Sequence, residues 1–302
     1  MTPVISIIIP HRNDSDKLEL CIEALNNQSF PRDNYEIIVI DNVSDPVHKE
    51  SIEKLSKSHS ITLLYQPIQS SYAARNLGIK NASGAYIAFT DSDCIPDTDW
   101  IKNGLESLQN NNSYDFIGGR INLFYKNPDN PNTVELFEKI YSFRQNIFIN
   151  KYSYSATANL ITPSDILRDV GYFNEKMKSN GDREWCLRAR DKGYKIGYSD
   201  DVIVNHPARN SFREFKRRQL RLCGGGYNIR KQSGWSSLSL FLINIFTAIP
   251  PVATIFKVFG NKDFKNSKPG SKIKLICLII YIKYLRVFET FRLTLGYSPR
   301  NY

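Results

Sequence analysis

The sequence predicts an α/β fold with a mainly parallel sheet flanked by helices. Two observations support this prediction. Short apolar runs of strand length alternate with amphipathic segments of helical period, and polar residues follow directly after several of those runs. Strands and helices that alternate at this spacing need crossover connections, which give a parallel sheet. A chain of 302 residues is long enough for one large core or two smaller ones.

Four apolar runs in the first third of the chain predict buried strands, because strands covered on both faces are almost continuously apolar. They lie at residues 4–9, 35–40, 61–65 and 85–90. A helix is predicted after the first run, since Leu18, Cys21, Ile22 and Leu25 recur at helical spacing. Further helices are predicted at 47–58 and 71–80. Residues 114–205 predict mixed strands and helices, the clearest helix being 134–149.

Polar residues follow three of the predicted strands, at residues 10–13, at Asp41 and at 91–93. In parallel sheets, ligands bind beyond the carboxyl ends of the strands, so we expect these groups to meet at one edge. Asp91 and Asp93 offer carboxylate oxygens, which Mg²⁺ and Mn²⁺ prefer. The alternative is an ordinary turn, which Asp and Ser also favour.

Charge is distributed unevenly along the chain. Residues 1–200 carry 22 Lys and Arg against 26 Asp and Glu, whereas residues 201–302 carry 18 against 4. The first part is therefore mildly acidic, at −4, and the second strongly basic, at +14. No signal peptide is predicted at the start of the sequence, and five scattered cysteines predict a reduced, cytosol-facing chain.

Five sequence blocks, in order, resemble the family 2 glycosyltransferases. They are residues 6–13, 38–42, 73–78, 84–93 and 181–185, followed by Gly193-Tyr194 and Asn205-His206. The resemblance implies a GT-A (Rossmann-like) fold and an inverting, metal-dependent enzyme that uses a nucleotide-diphosphate sugar. It also implies that Mn²⁺ or Mg²⁺ binds Asp91 and Asp93, with His206 as a further ligand or as a structural hydrogen-bonding residue. The donor-binding residues that it implies are Pro10, Arg12, Asn13, Asp41, Arg75, Asp91 and Ser92.

The resemblance places the catalytic base at Asp182. Inverting transfer needs one carboxylate to accept the proton of the attacking hydroxyl. Asp182 also precedes a predicted helix, where aspartate is a favoured N-cap, and the two roles are compatible. Members of the family often have Glu-Asp at this point, whereas this chain has Gly181-Asp182.

Arg218 and Arg221 lie three residues apart in a basic segment and are predicted to share one helix face. They are candidates for contacts with the donor diphosphate, and the alternative is a basic face that meets lipid headgroups. The Gln-x-x-Arg-Trp motif of processive relatives has no match here, which favours single addition.

The last third of the sequence predicts a helical, basic and apolar extension. Residues 235–256 contain no charge, but Pro250-Pro251 should break a helix, so segments lying in the membrane interface are favoured over a span. Basic, aromatic-rich segments bind anionic cytoplasmic leaflets. The alternative is that these helices pack on the catalytic domain or on a partner subunit.

We therefore expect a catalytic domain at 1–207, with its nucleotide-sugar half at about 1–110 and its acceptor half at about 111–207, and a membrane-associating region at 208–302. The expected reaction is single transfer to a hydroxyl of a cell-surface glycan or lipid-linked acceptor at the cytoplasmic membrane face. A catalytically silent nucleotide-sugar-binding protein of the same fold is the alternative. Nucleic acid is not an expected partner, because no nucleic-acid module is found.

Overall fold

The computed structural model describes residues 2–110, 113–248, 258 and 269–300. The described chain forms one sheet of eight strands: β1 (Ile5–His11), β2 (Tyr35–Asp41), β3 (Thr62–Tyr65), β4 (Tyr86–Phe89), β5 (Ile95–Pro96), β6 (Phe116–Phe124), β7 (Leu160–Pro163) and β8 (Ile196–Pro207). Their order in the sheet is β3-β2-β1-β4-β7-β6-β8-β5. Strands β1 to β4 pair in parallel, whereas β7 runs antiparallel to both β4 and β6, and β5 runs antiparallel to β8.

Helices flank this sheet or form the C-terminal part of the chain. They are α1 (Ser15–Asn26), α2 (Pro46–Ser58), α3 (Ser71–Asn81), α4 (Trp100–Gln109), α5 (Thr133–Tyr141), α6 (Gln145–Tyr152), α7 (Ser164–Val170), α8 (Gly181–Asp191), α9 (Phe212–Gln232), α10 (Ser237–Ala248) and α11 (Pro269–Thr294). Within the described residues, 3₁₀ turns lie at Arg32–Asn34 and Thr157–Asn159. The predicted mainly parallel α/β sheet with a helical C-terminus is confirmed.

The predicted helix at 134–149 is wrong as a single element. It is two helices, α5 and α6, because Ser142 adopts an extended backbone and Phe143 a left-handed one with φ of 49°. The Phe143 ring lies 4.6 Å from the ring of His206. This tertiary contact lies at the break between α5 and α6, which the spacing of apolar residues along the sequence does not indicate.

The chain divides into two compact units. The first comprises Met1–Leu123, Phe143–Met177 and Gly181–Pro207, and the second comprises Phe124–Ser142, Lys178–Asn180 and Ala208–Tyr302. The core of the first unit packs apolar residues of β1 and β2 against α1, α2 and α4. In the second unit, α11 packs against α5, α9 and α10. Among the described residues, no helix combines the length and apolarity needed to cross a bilayer. Residues 249–256 of the predicted interfacial segment, with Pro250-Pro251, lie outside the described residues.

Candidate active site

The strand register brings the predicted polar groups to one edge of the first unit. His11 at the end of β1 pairs in register with Asp41 at the end of β2. Phe89, the last residue of β4, pairs with Ile8, so the segment 91–93 leaves the sheet at the same edge. The expected convergence of the three polar groups at the carboxyl ends of the strands is therefore found.

The loops after β1 and β2 are joined by hydrogen bonds from Arg12 and Asn13. The Arg12 Nε donates to the Val43 carbonyl at 3.4 Å, and the Asn13 amide donates to Ser44 Oγ at 3.0 Å. The Asn13 side chain donates to an Asp45 carboxylate oxygen at 2.9 Å and accepts from the Asp45 amide at 2.7 Å. Arg12 and Asn13 thus fix the shape of the rim, and their direct contact with a nucleotide stays a prediction.

The same rim holds strained backbone. Asn13 has a φ of 54° and Val43 a φ of 63°. Positive φ is tolerated by asparagine but is unusual for a β-branched residue such as valine. Backbone strain of this kind costs of order 1–3 kcal/mol and is concentrated at functional sites. The strained rim therefore agrees with a binding role for this edge.

Asp41 and His11 are buried beneath that rim with unsatisfied polar atoms. Asp41 is 2% exposed; one carboxylate oxygen accepts from the Ser44 amide at 3.4 Å, and the other has no partner among the described residues. Both ring nitrogens of His11 are likewise unpaired among those residues. Burial lowers the pKa of His11 to about 4, although Asp41 and Asp14 oppose the shift. The imidazole is therefore neutral at pH 7. The sequence did not mark His11 as a site residue.

Arg75 is a buried cation on α3. It is 4% exposed, and its Nη2 lies 2.5 Å from a carboxylate oxygen of Asp91. Its Nη1 donates to the Ser71 carbonyl at 3.4 Å, and its Nε has no partner in the described chain. A buried, paired guanidinium is held in one position, as an anion-binding residue must be.

Asp91, Asp93, Cys94 and His206 each offer a ligand atom within 4.8 Å of the others. The antiparallel pairing of Ile95 with Asn205 brings β8 beside the loop after β4 and so causes this meeting. Since Mn²⁺ and Mg²⁺ prefer oxygen to a thiol, the two aspartates and the histidine suit such a cation better than Cys94 does.

The orientation of the His206 ring fits metal binding. The ring is 2% exposed, and Nδ1 donates to the Pro207 carbonyl at 2.8 Å, since a carbonyl oxygen only accepts. In the neutral ring, Nε2 then carries the lone pair, and it lies 3.6 Å from a carboxylate oxygen of Asp93. A backbone carbonyl that fixes the tautomer is the usual support of a metal-binding histidine. The residues present therefore fit a divalent cation.

Asp182 lies in the first turn of α8. Burial raises the pKa of its carboxyl group, and Asp91 adds to the rise. Backbone hydrogen bonds involving Arg183 and Thr157, together with the charge of Arg75, oppose the rise. A carboxylate whose pKa is raised is a better proton acceptor, as a general base requires.

Tyr72 positions the turn that carries Asp182, and the sequence did not reveal this role. The Gly181 amide donates to the Tyr72 hydroxyl at 2.8 Å. A Cβ at Gly181 would lie 2.7 Å from the Tyr72 ring, so the ring occupies the space that a side chain at 181 needs. Tyr72 lies one turn before Arg75 on α3, a spacing that places both on one side of the helix.

Comparison with known proteins agrees with this geometry. The family model described as "Glycosyl transferase family 2" matches residues 6–169, more than half of the chain. The chain belongs to glycosyltransferase family 2. It is 34% identical over 225 residues to the glycosyltransferase AglE of Haloferax volcanii, covering 74% of this chain and 73% of AglE.

This family 2 chain is also similar to a second named enzyme and to a solved structure. A Methanococcus voltae enzyme, named dolichyl N-acetyl-α-D-glucosaminyl phosphate 3-β-D-2,3-diacetamido-2,3-dideoxy-β-D-glucuronosyltransferase, is 27% identical over 247 residues, covering 75% of this chain and 74% of its own. The solved mannosyltransferase PcManGT of Pyrobaculum calidifontis superposes with a TM-score of 0.59 at 14% identity, covering 98% of this chain and 75% of its own. This likeness confirms the GT-A fold.

Arg218 and Arg221 of the family 2 chain lie in the second unit, on α9. Arg218 is largely buried and forms an ion pair with Glu138 at 3.2 Å. Its Nη1 also donates to Ser142 Oγ at 3.2 Å, whereas Arg221 is exposed. Glu138 is fully buried and also pairs with Arg209 at 3.1 Å. Arg218 therefore has a structural role in its own unit, and its contact with a diphosphate stays a prediction.

Proposed function

We propose that this glycosyltransferase transfers one sugar from a nucleotide-diphosphate donor to an acceptor hydroxyl with inversion, and that Asp182 is the base. The observation that carries the proposal is the half-buried Asp182 carboxyl in the first turn of α8, whose pKa is raised by desolvation and which feels the charges of Arg75 and Asp91. In the proposed step, the acceptor oxygen forms a bond to the anomeric carbon while the bond from that carbon to the diphosphate breaks. The hydroxyl proton passes to Asp182, so no covalent enzyme intermediate is needed.

Asp91, Asp93 and His206 would hold the divalent cation. The donor set fits Mn²⁺ or Mg²⁺, and the solved PcManGT structure is a complex with GDP-mannose and Mn²⁺. A cation bound there would offset negative charge on the departing diphosphate. Arg75 would add a fixed positive charge beside Asp91 for the same purpose.

The nucleoside would lie at the rim formed by the loops after β1 and β2. The Asp41 carboxylate oxygen that has no partner among the described residues would accept a hydrogen bond from the base or ribose. Arg12 and Asn13 hold that rim, and Pro10 lies within β1 next to Ile40 of β2. Ser92 lies between the two proposed metal-binding aspartates and would contact the diphosphate. In the second unit, Arg221 and Arg218 are further candidates for that contact.

The proposed acceptor is a glycan or a lipid-linked saccharide at the cytoplasmic membrane face. The name of the Methanococcus voltae relative describes a dolichyl phosphate-linked acceptor, which supports the lipid-linked class. Helix α11 exposes large apolar side chains and also carries cationic ones, a combination that binds anionic lipid surfaces, and the uncharged α10 adds further exposed apolar side chains. The exposed set includes Leu238 and Phe246 on α10 and Tyr284, Phe288 and Phe291 on α11.

A donor panel tests the proposal. Purified protein is incubated with UDP-, GDP- and dTDP-sugars, with Mn²⁺ or with EDTA, and thermal stabilisation and nucleoside diphosphate release are measured. We expect one donor class to stabilise the protein and to be turned over only with the metal present. NMR of the product made from an α-linked donor should show a β-linkage. Stabilisation by no donor, with or without Mn²⁺, contradicts the proposal.

The metal site has its own test in the same assay. His206→Ala should raise the Mn²⁺ concentration needed for half-maximal turnover by about tenfold or more, since even residues that only support a ligand contribute about that much. His59→Ala is the matched control, because His59 is half-buried and lies at the end of α2. An unchanged Mn²⁺ dependence in His206→Ala removes this histidine from the ligand set.

A further inference from the structure

The second unit contains a groove between α11 and the segments that begin α5 and α9. Its volume is about 650 Å³, within the range of small-molecule binding sites. One wall is a single face of α11, since its lining residues follow helical spacing: Ile273, Lys274, Cys277, Leu278 and Tyr281. The opposite wall consists of Asn132, Thr133, Val134, Asn210 and Phe212.

The groove exposes apolar surface that the described residues do not cover. Ile273 is 58% exposed and Phe212 is 48% exposed, and the Phe212 and Tyr281 rings lie 5.7 Å apart. Val134 and Leu278 are buried members of the apolar cluster of this unit and form the floor. An exposed apolar surface gathered into one groove marks a binding site more strongly than single exposed side chains do.

The Asn132 side chain in the groove is already paired, so it offers little to a sugar. The Asn132 side chain accepts from the amides of Val134 and Glu135, at 2.9 and 3.1 Å, and caps α5. Its amide nitrogen donates to the Asn210 carbonyl at 2.9 Å. The Asn132 side-chain amide therefore has little capacity left for the hydroxyl groups of a saccharide.

Lys274 supplies the one positive charge among the groove residues. Its side chain is exposed, and no acidic residue of the described chain forms an ion pair with it. The lining thus combines an apolar wall, about 12 Å long from residue 273 to residue 281, with a single ammonium group. This combination is complementary to an apolar chain that ends in a phosphate.

We propose that this groove binds the first isoprenoid units of a polyprenyl phosphate, with the phosphate at Lys274. The proposal rests on the proposed function, in which the acceptor is linked to a lipid, and it assigns the lipid of that acceptor to this groove. Phe212, Ile273 and Tyr281 would contact the hydrocarbon chain. The groove would thereby hold the acceptor by its lipid rather than by its sugar.

Cys277 lines the groove and is an exposed thiol, which makes it a reporter of occupancy. The test measures the rate at which a maleimide labels Cys277 in the full-length protein, with no nucleotide sugar present. Cys277→Ala identifies the signal: Cys21, Cys94 and Cys186 are buried, so labelling that persists in this variant comes from the half-buried Cys223. The probes are farnesyl phosphate, farnesol and lysophosphatidylglycerol, each added below its micelle concentration.

Farnesyl phosphate should slow labelling of Cys277 at least tenfold, and farnesol should protect less at the same concentration. In Lys274→Glu, farnesyl phosphate should protect Cys277 no better than farnesol does. In Lys283→Glu, a change on the same helix outside the groove, farnesyl phosphate should still protect better. Absence of protection, or loss of the phosphate preference in both variants, overturns the proposal. Equal protection by lysophosphatidylglycerol overturns the isoprenoid assignment. Because the test uses no donor, a negative result leaves the transferase proposal standing.

Discussion

The buried imidazole of His11 predicts that the first unit loses stability as the pH falls below 6.5. His11 is 1% exposed, and burial lowers its pKa from 6.5 to about 4. Between these two pH values the unfolded chain binds a proton that the folded chain does not bind. Stability therefore rises with pH across this window and is lost as the pH falls.

The magnitude follows from the two pKa values. A difference of about 2.5 units, at 1.36 kcal/mol for each unit, corresponds to about 3 kcal/mol once the pH is well below 4. The same relation gives a loss of about 1.4 kcal/mol between pH 8 and pH 5.5, and of about 2.6 kcal/mol by pH 4.5. These losses are a measurable fraction of the roughly 5–15 kcal/mol that stabilise a folded protein.

Urea unfolding of the wild type and of His11→Asn, followed by tryptophan fluorescence from pH 4.5 to 8, measures this effect. Trp100 and Trp185 are buried in the first unit and report its unfolding. As the pH falls, the free energy of unfolding of the wild type should decrease relative to that of His11→Asn by the amounts given above. Ile9→Val is the matched control on the same strand, and its cost of about 1 kcal/mol should not vary with pH. A difference that stays constant between pH 8 and pH 4.5 would refute the buried, neutral state of His11.

Two glycine positions give further predictions. Gly225→Ala should destabilise the protein by about 1–3 kcal/mol, since its Cβ would lie 2.6 Å from the Ser179 carbonyl oxygen. Gly226→Ala, where nothing lies within 4 Å, should stabilise α9 by up to about 1 kcal/mol in the same denaturation assay. Gly181→Ala should reduce sugar transfer more than donor binding, because its Cβ would meet the Tyr72 ring. Equal effects of the 225 and 226 substitutions, or wild-type transfer by the 181 variant, would contradict these contacts.

The parallel part of the sheet in the first unit could be predicted from the sequence, because each apolar run there forms a strand and each helical pattern forms the connection to the next strand. Apolar runs predict β1 to β4, and the parallel order alone brings Asp41 and Asp91 to one edge. The helix at 134–149 could not be predicted correctly, since its break coincides with a contact between Phe143 and His206, far apart in sequence.

The supporting residues of the site could not be predicted from the spacing of residues along the sequence either. His11 and Tyr72 act through burial and through contacts with residues distant in the chain, and neither stands out by spacing. Arg218 illustrates the opposite case. Its basic segment predicts an anion contact, yet the fold supplies that anion internally as the buried Glu138.

Asp182→Asn tests the central claim most directly. With the donor identified by the panel, nucleoside diphosphate release and donor affinity are measured for the wild type, for Asp182→Asn and for Asp201→Asn, a change at an exposed surface acid. Loss of the base should lower the turnover of Asp182→Asn by about 10²–10⁴-fold with donor affinity nearly unchanged, whereas Asp201→Asn should match the wild type. Turnover of Asp182→Asn at the wild-type rate would contradict the assignment of Asp182 as the base.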